Sequence, residues 1–489
     1  MIFLILIFLI LNPIFQETFT NHPSYEQIND YIKEIEVPTK NSGLAGLTID
    51  EDNNVWFVEI NANKIGVLFT NNFTIKEFPF KIDRTAKPGI EFVALSQIKY
   101  DKIRRSLWFT WSPSDSIGKF DLNSLSFEFY SIDEKDSGVF DLLIDDEGNI
   151  WVTLLYGKKI VKFYPDIKKF EKYLIPDPTG GPAILTMDNY KNIWGTLNFG
   201  RKIFKLNLEK LKPNTSEGVE IFDNFSYKNV FISPLGIAYD HKRNLLWIAD
   251  HGSSAIYSFN PFNLTWKQYL VYQPFPYALI NHVKVDSEGK VWFASHFGNT
   301  VGYLNPEERS VVEFIIPTSN STTLWLEIDK NDNVYFTEFD GNKIGFINNT
   351  SKIKVEIDVY KKYINSGEVA EFEINVNFLN IDGINVTLDY SSIYFFLKDK
   401  LEINTNLGKQ FLLKNNTSLK IKIKYNDVPQ GEYTFLISFK SQKIIISFNV
   451  YLSVGPKPFE WLNITFAIII PLIITILIFI FLRKIFYKK

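Results

Sequence analysis

Asp250 and His251 stand side by side, His282 and His296 follow shortly after, and Glu59 and Glu338 lie near opposite ends of one long region. Two imidazoles with Asp250, Glu59 and Glu338 could hold a divalent metal. They could equally form an acid–base pair, because imidazole titrates near neutrality. Either chemistry requires a fold that brings residues almost three hundred positions apart onto one surface. The other histidines are given no role: His22 falls in an N-terminal leader and His241 in a turn on the opposite face.

The sequence supplies such a fold by repetition. An aromatic anchor recurs as Trp56, Trp108, Trp151, Trp194, Trp247, Trp292 and Tyr335, spaced by 43 to 53 residues. Each anchor lies near the end of a phrase such as LTIDEDNNVWFVE or LEIDKNDNVYFTE, which is followed by a short apolar stretch such as KIGVLF or KIGFIN. A fourth β-rich segment, such as IKEFPF or VVEFIIP, closes the unit. Four short strands in one repeating unit describe a propeller blade, and seven units predict seven blades over 31–351. The seventh unit lacks its fourth segment, while YIKEIEVP (31–38) precedes the first unit and has that pattern. Strand 31–38 should therefore complete blade seven and remove an open edge.

Up-and-down strand order places the residues three and four past each anchor on one face of the disc. Read around the ring, Glu59, Asp250–His251, Ser295–His296 and Glu338 occupy the contiguous blades five, six, seven and one. With His282 they form the candidate top-face cluster, catalytic or metal-binding. Blades two to four are mostly apolar at these places. The bland alternative is a set of solvated loop residues bonded between blades. A repeated Asp (50, 101, 145, 188, 240, 286, 329) precedes each anchor. In so short a connection it reads as a turn cap rather than a calcium ligand, and the anchors read as packing between blades.

Residues 352–454 lose the repeat and alternate in the manner of an immunoglobulin-like β-sandwich. Segment 461–482 has 22 residues without a charge, enough to span about 30 Å of hydrocarbon, and Arg483, Lys484, Lys488 and Lys489 follow in a cytoplasmic tail, 483–489. Positive charge stays inside, so a single-pass protein with its bulk extracellular is expected. Residues 1–16 read as a signal peptide, with a retained anchor as the alternative. Sequons at Asn72, Asn214, Asn224, Asn263, Asn320, Asn349, Asn385 and Asn416, among others, fit a glycosylated surface protein. The chain has no cysteine, hence neither disulfides nor thiolate metal sites, and a net charge of −3 gives no reason to expect nucleic acid. Phosphate-binding, nucleophile-elbow and His-Glu-x-x-His motifs do not occur.

The phrase W-[FI]-x-E, followed by N-K-I-G and an I-x-E-[YF]-x-x-P strand, resembles the virginiamycin B lyase (streptogramin lyase) family over about residues 31–350. The resemblance implies a seven-bladed propeller that opens a cyclic depsipeptide by elimination with a divalent metal, usually magnesium. It also implies a His before the inner strand of blade six, where Asn281 stands with His282 next to it. A Glu-Pro-His before that of blade seven is replaced by Thr322, Thr323 and Leu324. A Glu four residues past the seventh anchor is replaced by Phe339, with Glu338 adjacent. The fold class expected is all-β: a seven-bladed β-propeller, an immunoglobulin-like β-sandwich and a C-terminal transmembrane helix. The function expected is a membrane-anchored binding module for a peptide, a glycan or an envelope protein. The alternative is a metal-dependent lyase or hydrolase with a rearranged site.

Overall fold

The structure, a computed structural model, describes residues 30–83, 96–224, 231–272, 278–349, 353–358, 361–364, 370–379, 381, 383–389, 401–425 and 431–455. The expected leader 1–16, span 461–482 and tail 483–489 lie outside the described residues. Among those described, no helix is long and apolar enough to cross a membrane.

The all-β expectation holds, with one short 3-10 turn at Ser112–Ser114 among the described residues. The repeats fold into successive four-stranded antiparallel units. The first strands (Leu44–Ile49, Ile98–Asp101, Val139–Ile144, Pro182–Met187, Pro234–Asp240, Ile280–Val285 and Thr323–Ile328) pack each against the next, and the seventh packs against the first. That cyclic order is a ring of seven blades around a central channel. Strand Lys33–Glu36 pairs antiparallel with Lys343–Ile347 of blade seven, Ile35 opposite Ile344. The chain's beginning thus closes its last blade.

Specific contacts underlie the repeated phrase. The Asp before each anchor caps its turn: Asp50 Oδ1 accepts from the Asn54 amide at 2.8 Å, and Asp145 Oδ1 from that of Asn149 at 2.8 Å. Its other oxygen accepts from the anchor's indole N–H, at 2.8 Å for Trp56, 2.9 Å for Trp151 and 2.8 Å for Trp194. One carboxylate therefore fixes the turn and orients the large ring between blades. The Asn of N-K-I-G holds a left-handed backbone, φ 52° at Asn63 and 56° at Asn342, which Asn tolerates better than most residues. The Gly faces a cross-strand phenylalanine: a Cβ on Gly345 would lie 2.0 Å from Phe336 Cζ, and on Gly66 2.2 Å from Phe57 Cζ. These motif positions serve architecture.

The same left-handed residue latches one blade to the next. Asn342 of blade seven accepts through Oδ1 from the Ser42 amide at 3.0 Å and its hydroxyl at 3.1 Å. Its Nδ2 donates to Val37 O at 3.0 Å. Asn299 does likewise from blade six to Ser321, and Asp115 from blade two to Ser137.

Beyond the ring, strand Ile444–Val454 pairs with Ser310–Ile315, the outer strand of blade six, so the blade's sheet continues into the C-terminal region. There Gly431–Lys440, Ile384–Asp389 and Gln410–Leu413 extend it. A second sheet of Lys354–Ile357, Ala370–Leu379, Thr417–Tyr425 and Leu401–Thr405 joins the first in a shared apolar core. This is a two-sheet packing, fused to the propeller rather than appended by a free linker. Asn449 holds both the amide and the carbonyl of Leu270, and Tyr451 donates to Gln268 O.

Candidate functional site

The ring does bring blades five, six, seven and one together, but most of the expected cluster is turned inward. The position three past the anchor ends the second strand and is buried in every blade (Glu59, Trp111, Leu154, Leu197, Asp250, Ser295 and Glu338). Asp250 accepts from the Ile232 and Ser233 amides and from the Ser253 hydroxyl, closing the loop that enters its own blade. Ser295 donates to Ala278 O for the same purpose. Glu59 and Glu338 are fully buried, and their carboxylate oxygens have no hydrogen-bond partner. The Ser42 hydroxyl beside Glu59 is committed to Asn342. Burial, with a smaller contribution from Glu77, pushes the Glu59 carboxyl up to about 7, and burial with the nearby Glu34 charge pushes Glu338 up to about 9. Neither is a solvated ligand.

His282 also leaves the expected cluster. It lies on the inner strand of blade six, 2% exposed, where the ring meets Trp325 edge-on at 4.8 Å. Burial, then the Lys284 charge, holds its pKa well below the usual value. Only His251 and His296 meet, with ring centroids 5.1 Å apart. Burial lowers His251 to about 4; burial and the neighbouring His251 lower His296 to about 3. Both imidazoles are thus neutral at physiological pH. Among the described residues, no three His, Asp or Glu side chains are grouped so as to hold a metal. The six expected residues do not fit the divalent ion that the family resemblance implies, and no chemical step is assigned through it.

What the loop-bearing face does present is aromatic, at the position five past the anchor. Tyr156 of blade three stacks on Phe199 of blade four with centroids 6.0 Å apart and planes 19° apart. Each ring also lies over a positive-φ glycine of the loop entering its blade, Gly138 and Gly181, where a Cβ would approach within 2.6 and 2.5 Å. Phe297 of blade six and Ile232 in the loop entering blade five are exposed, at 40% and 51%. The arc was legible as YGKK, FGRK and FGNT after the second strands. These rings stand at position five, whereas the expected carboxylates and the His251 and His296 imidazoles stand at positions three and four.

A second site lies at the other end of the channel. Lys99, Lys284 and Glu327 occupy equivalent positions, two residues before the repeated Asp, on the inner strands of blades two, six and seven. Lys99 Nζ and Lys284 Nζ both bind Glu327 Oε1, at 3.1 and 2.9 Å. Despite burial, the two ammoniums hold Glu327 down to about 2. Asp141 of blade three, 2% exposed, accepts from the Leu185 amide at 2.7 Å through Oδ2. Charged residues inside otherwise apolar inner strands were the available signal for this site.

Of the expected glycan acceptors, Asn72, Asn214, Asn263, Asn320, Asn385 and Asn416 are exposed. Asn349 is half-buried and donates to Asn331 O. Asn224 is fully buried with its Oδ1 accepting from the Phe231 amide, so a glycan there would not fit the fold.

No family model matches the sequence, and no curated protein matches it. Solved structures do. A streptogramin B lyase is 24% identical at a TM-score of 0.56, with 66% of this chain and 99% of that one covered. Virginiamycin B lyase from Staphylococcus aureus is 19% identical at a TM-score of 0.55, covering 65% of this chain and 98% of that one. The extracellular domain of a putative hybrid two component system from B. thetaiotaomicron is 14% identical at 0.50, covering 88% of this chain and 60% of that one. The chain is similar to the lyases in structure. At these identities the likeness establishes the propeller fold and leaves the chemistry to the residues.

Proposed function

We propose that the protein is an outward-facing, membrane-anchored binding module whose loop-bearing face takes a peptide, a glycan or an envelope partner through the aromatic arc Tyr156–Phe199–Phe297. The observation that carries this reading is the contrast on that face. Glu59, Glu338 and His282 are sealed, Asp250 is spent on loop closure, and His251 and His296 are half-buried against each other, while stacked and exposed aromatic groups remain at the surface. Aromatic platforms contribute large contact area at low entropic cost. The likeness to the extracellular domain of a hybrid two component system agrees with a recognition role. Tethering by 461–482 and glycosylation at the exposed sequons belong to the same proposal, supported by the uncharged segment and the cationic tail.

The test is capture by the purified full-length protein on peptide and glycan arrays. Tyr156→Ala and Phe297→Ser should each weaken capture about tenfold or more, the loss expected when one well-packed anchor worth about 1.4 kcal/mol is removed. The second reading, a lyase, rests on the His251–His296 contact. Opening of a cyclic depsipeptide by the full-length protein, abolished in His251→Ala or His296→Ala, would replace the binding module with that reading.

A further inference from the structure

The channel end opposite the aromatic arc contains a cavity of about 230 Å³, walled by inner strands of blades two to six and opening beside His241. Its floor is apolar, with Ile184, Ile237 and Ala238. Gln97, Thr186, Tyr239, His241 and His282 add polar lining, and the charged groups fall in two sets. On one side, Lys99 and Lys284 share a single oxygen of Glu327, so two ammoniums with three N–H donors each converge on one acceptor. On the other, Asp141 is 2% exposed, and its Oδ1 has no hydrogen-bond partner although Oδ2 is bonded to the Leu185 amide. Asp141 lies within electrostatic reach of both lysines. The charges balance, two cations against two carboxylates, so the wall favours neither a bare anion nor a bare cation.

A buried carboxylate oxygen without a donor is costly unless something supplies one. Lysine donors left over after one shared carboxylate invite a second acceptor. We infer that this cavity binds a small zwitterion of the α-amino-acid class, its ammonium donating to Asp141 Oδ1 and its carboxylate accepting from Lys99 and Lys284, with the side chain against Ile184 and Ile237. The site is separate from the aromatic face, so the two readings stand or fall independently.

Isothermal titration of the full-length chain in detergent with each common amino acid tests the inference, with acetate and ethylammonium as single-charge probes. At least one amino acid should bind one per chain and at least tenfold more tightly than either probe. Asp141→Asn, which keeps the side-chain volume, should weaken it at least tenfold, and so should Lys284→Met, whose side chain is partly exposed and whose replacement strains the fold less. Circular dichroism and a thermal melt establish that each variant is folded; should Asp141→Asn fail to fold, Lys284→Met decides alone. The inference is overturned if no amino acid binds, if acetate binds as tightly as the best amino acid, or if Lys284→Met binds like the unsubstituted chain.

Discussion

Replacing Asn342 with Ala should open the seam of the ring. Asn342 is 7% exposed, and its side chain satisfies three groups: the Ser42 amide, the Ser42 hydroxyl and the Val37 carbonyl. The first two belong to the entry of blade one, the third to the N-terminal segment that closes blade seven. Truncation leaves these groups without a protein partner. At about 1–3 kcal/mol for each group that water cannot reach, and with part of the loss recovered by relaxation, the cost is about 3–5 kcal/mol. Alanine must also adopt φ 56°, which adds about 1 kcal/mol. Asn342→Gly removes the backbone term and should recover that last ~1 kcal/mol relative to Asn342→Ala. The assay is urea denaturation followed by tryptophan fluorescence, since six of the seven anchors are tryptophans buried between blades. A loss below about 1 kcal/mol for Asn342→Ala would refute the latch, because one surface hydrogen bond is worth that much. Equal midpoints for the Gly and Ala variants would refute the backbone part of the argument.

Four further outcomes are expected. Gly345→Ala should cost about 1–3 kcal/mol by driving a Cβ into the Phe336 ring, as overpacking does elsewhere; a denaturation midpoint unchanged from the parent would contradict it. Trp151→Phe should cost about 1–3 kcal/mol, measured the same way, since it strips a donor from buried Asp145. Glu59 has a folded-state pKa raised to about 7, so its protonated form favours folding below its unfolded pKa and that contribution fades as pH rises toward 7. Glu59→Gln should therefore flatten the fall in unfolding free energy between about pH 4.5 and 7 by about 3 kcal/mol, and an unchanged slope would count against an unpartnered carboxyl. Asn449→Ala should loosen the C-terminal sheets from blade five by removing both bonds to Leu270; faster amide exchange at Leu270 is the readout, and unchanged protection would contradict the contact.

The sequence made the ring legible because every blade repeats the same solution to the same packing problem. Asp145 and Trp151 recur together since one carboxylate bonds both the turn and the indole. The spare strand at 31–38 was readable because the seventh unit visibly lacked one, and Lys33–Glu36 lies there. The site was read less well, for a physical reason. Spacing tells which end of a blade a residue reaches, and both Asp250 and His251 reach the expected face. It does not tell whether the side chain points out or back into the loop, and a one-residue step reverses that on a strand. Asp250, Glu59 and Glu338 end their strands and turn inward, while Tyr156 and Phe199 lie past the strand ends, in turns where the alternation no longer holds, and remain at the surface. His282 sits on the inner strand itself, beyond the loop that enters blade six, and is buried against Trp325. The fusion of Ile444–Val454 to blade six joins strands far apart in sequence and leaves no local signal.

Because the chain contains no cysteine, closure of the ring can be tested with a single engineered cross-link. Glu36 and Lys343 face each other across the paired strands. In the double variant Glu36→Cys, Lys343→Cys, mild oxidation should yield a monomeric disulfide joining residues 36 and 343, identified by non-reducing peptide mass spectrometry. Free thiols, or only intermolecular disulfides, would mean that the N-terminal strand lies apart from blade seven and that no circle of blades gathers these loops.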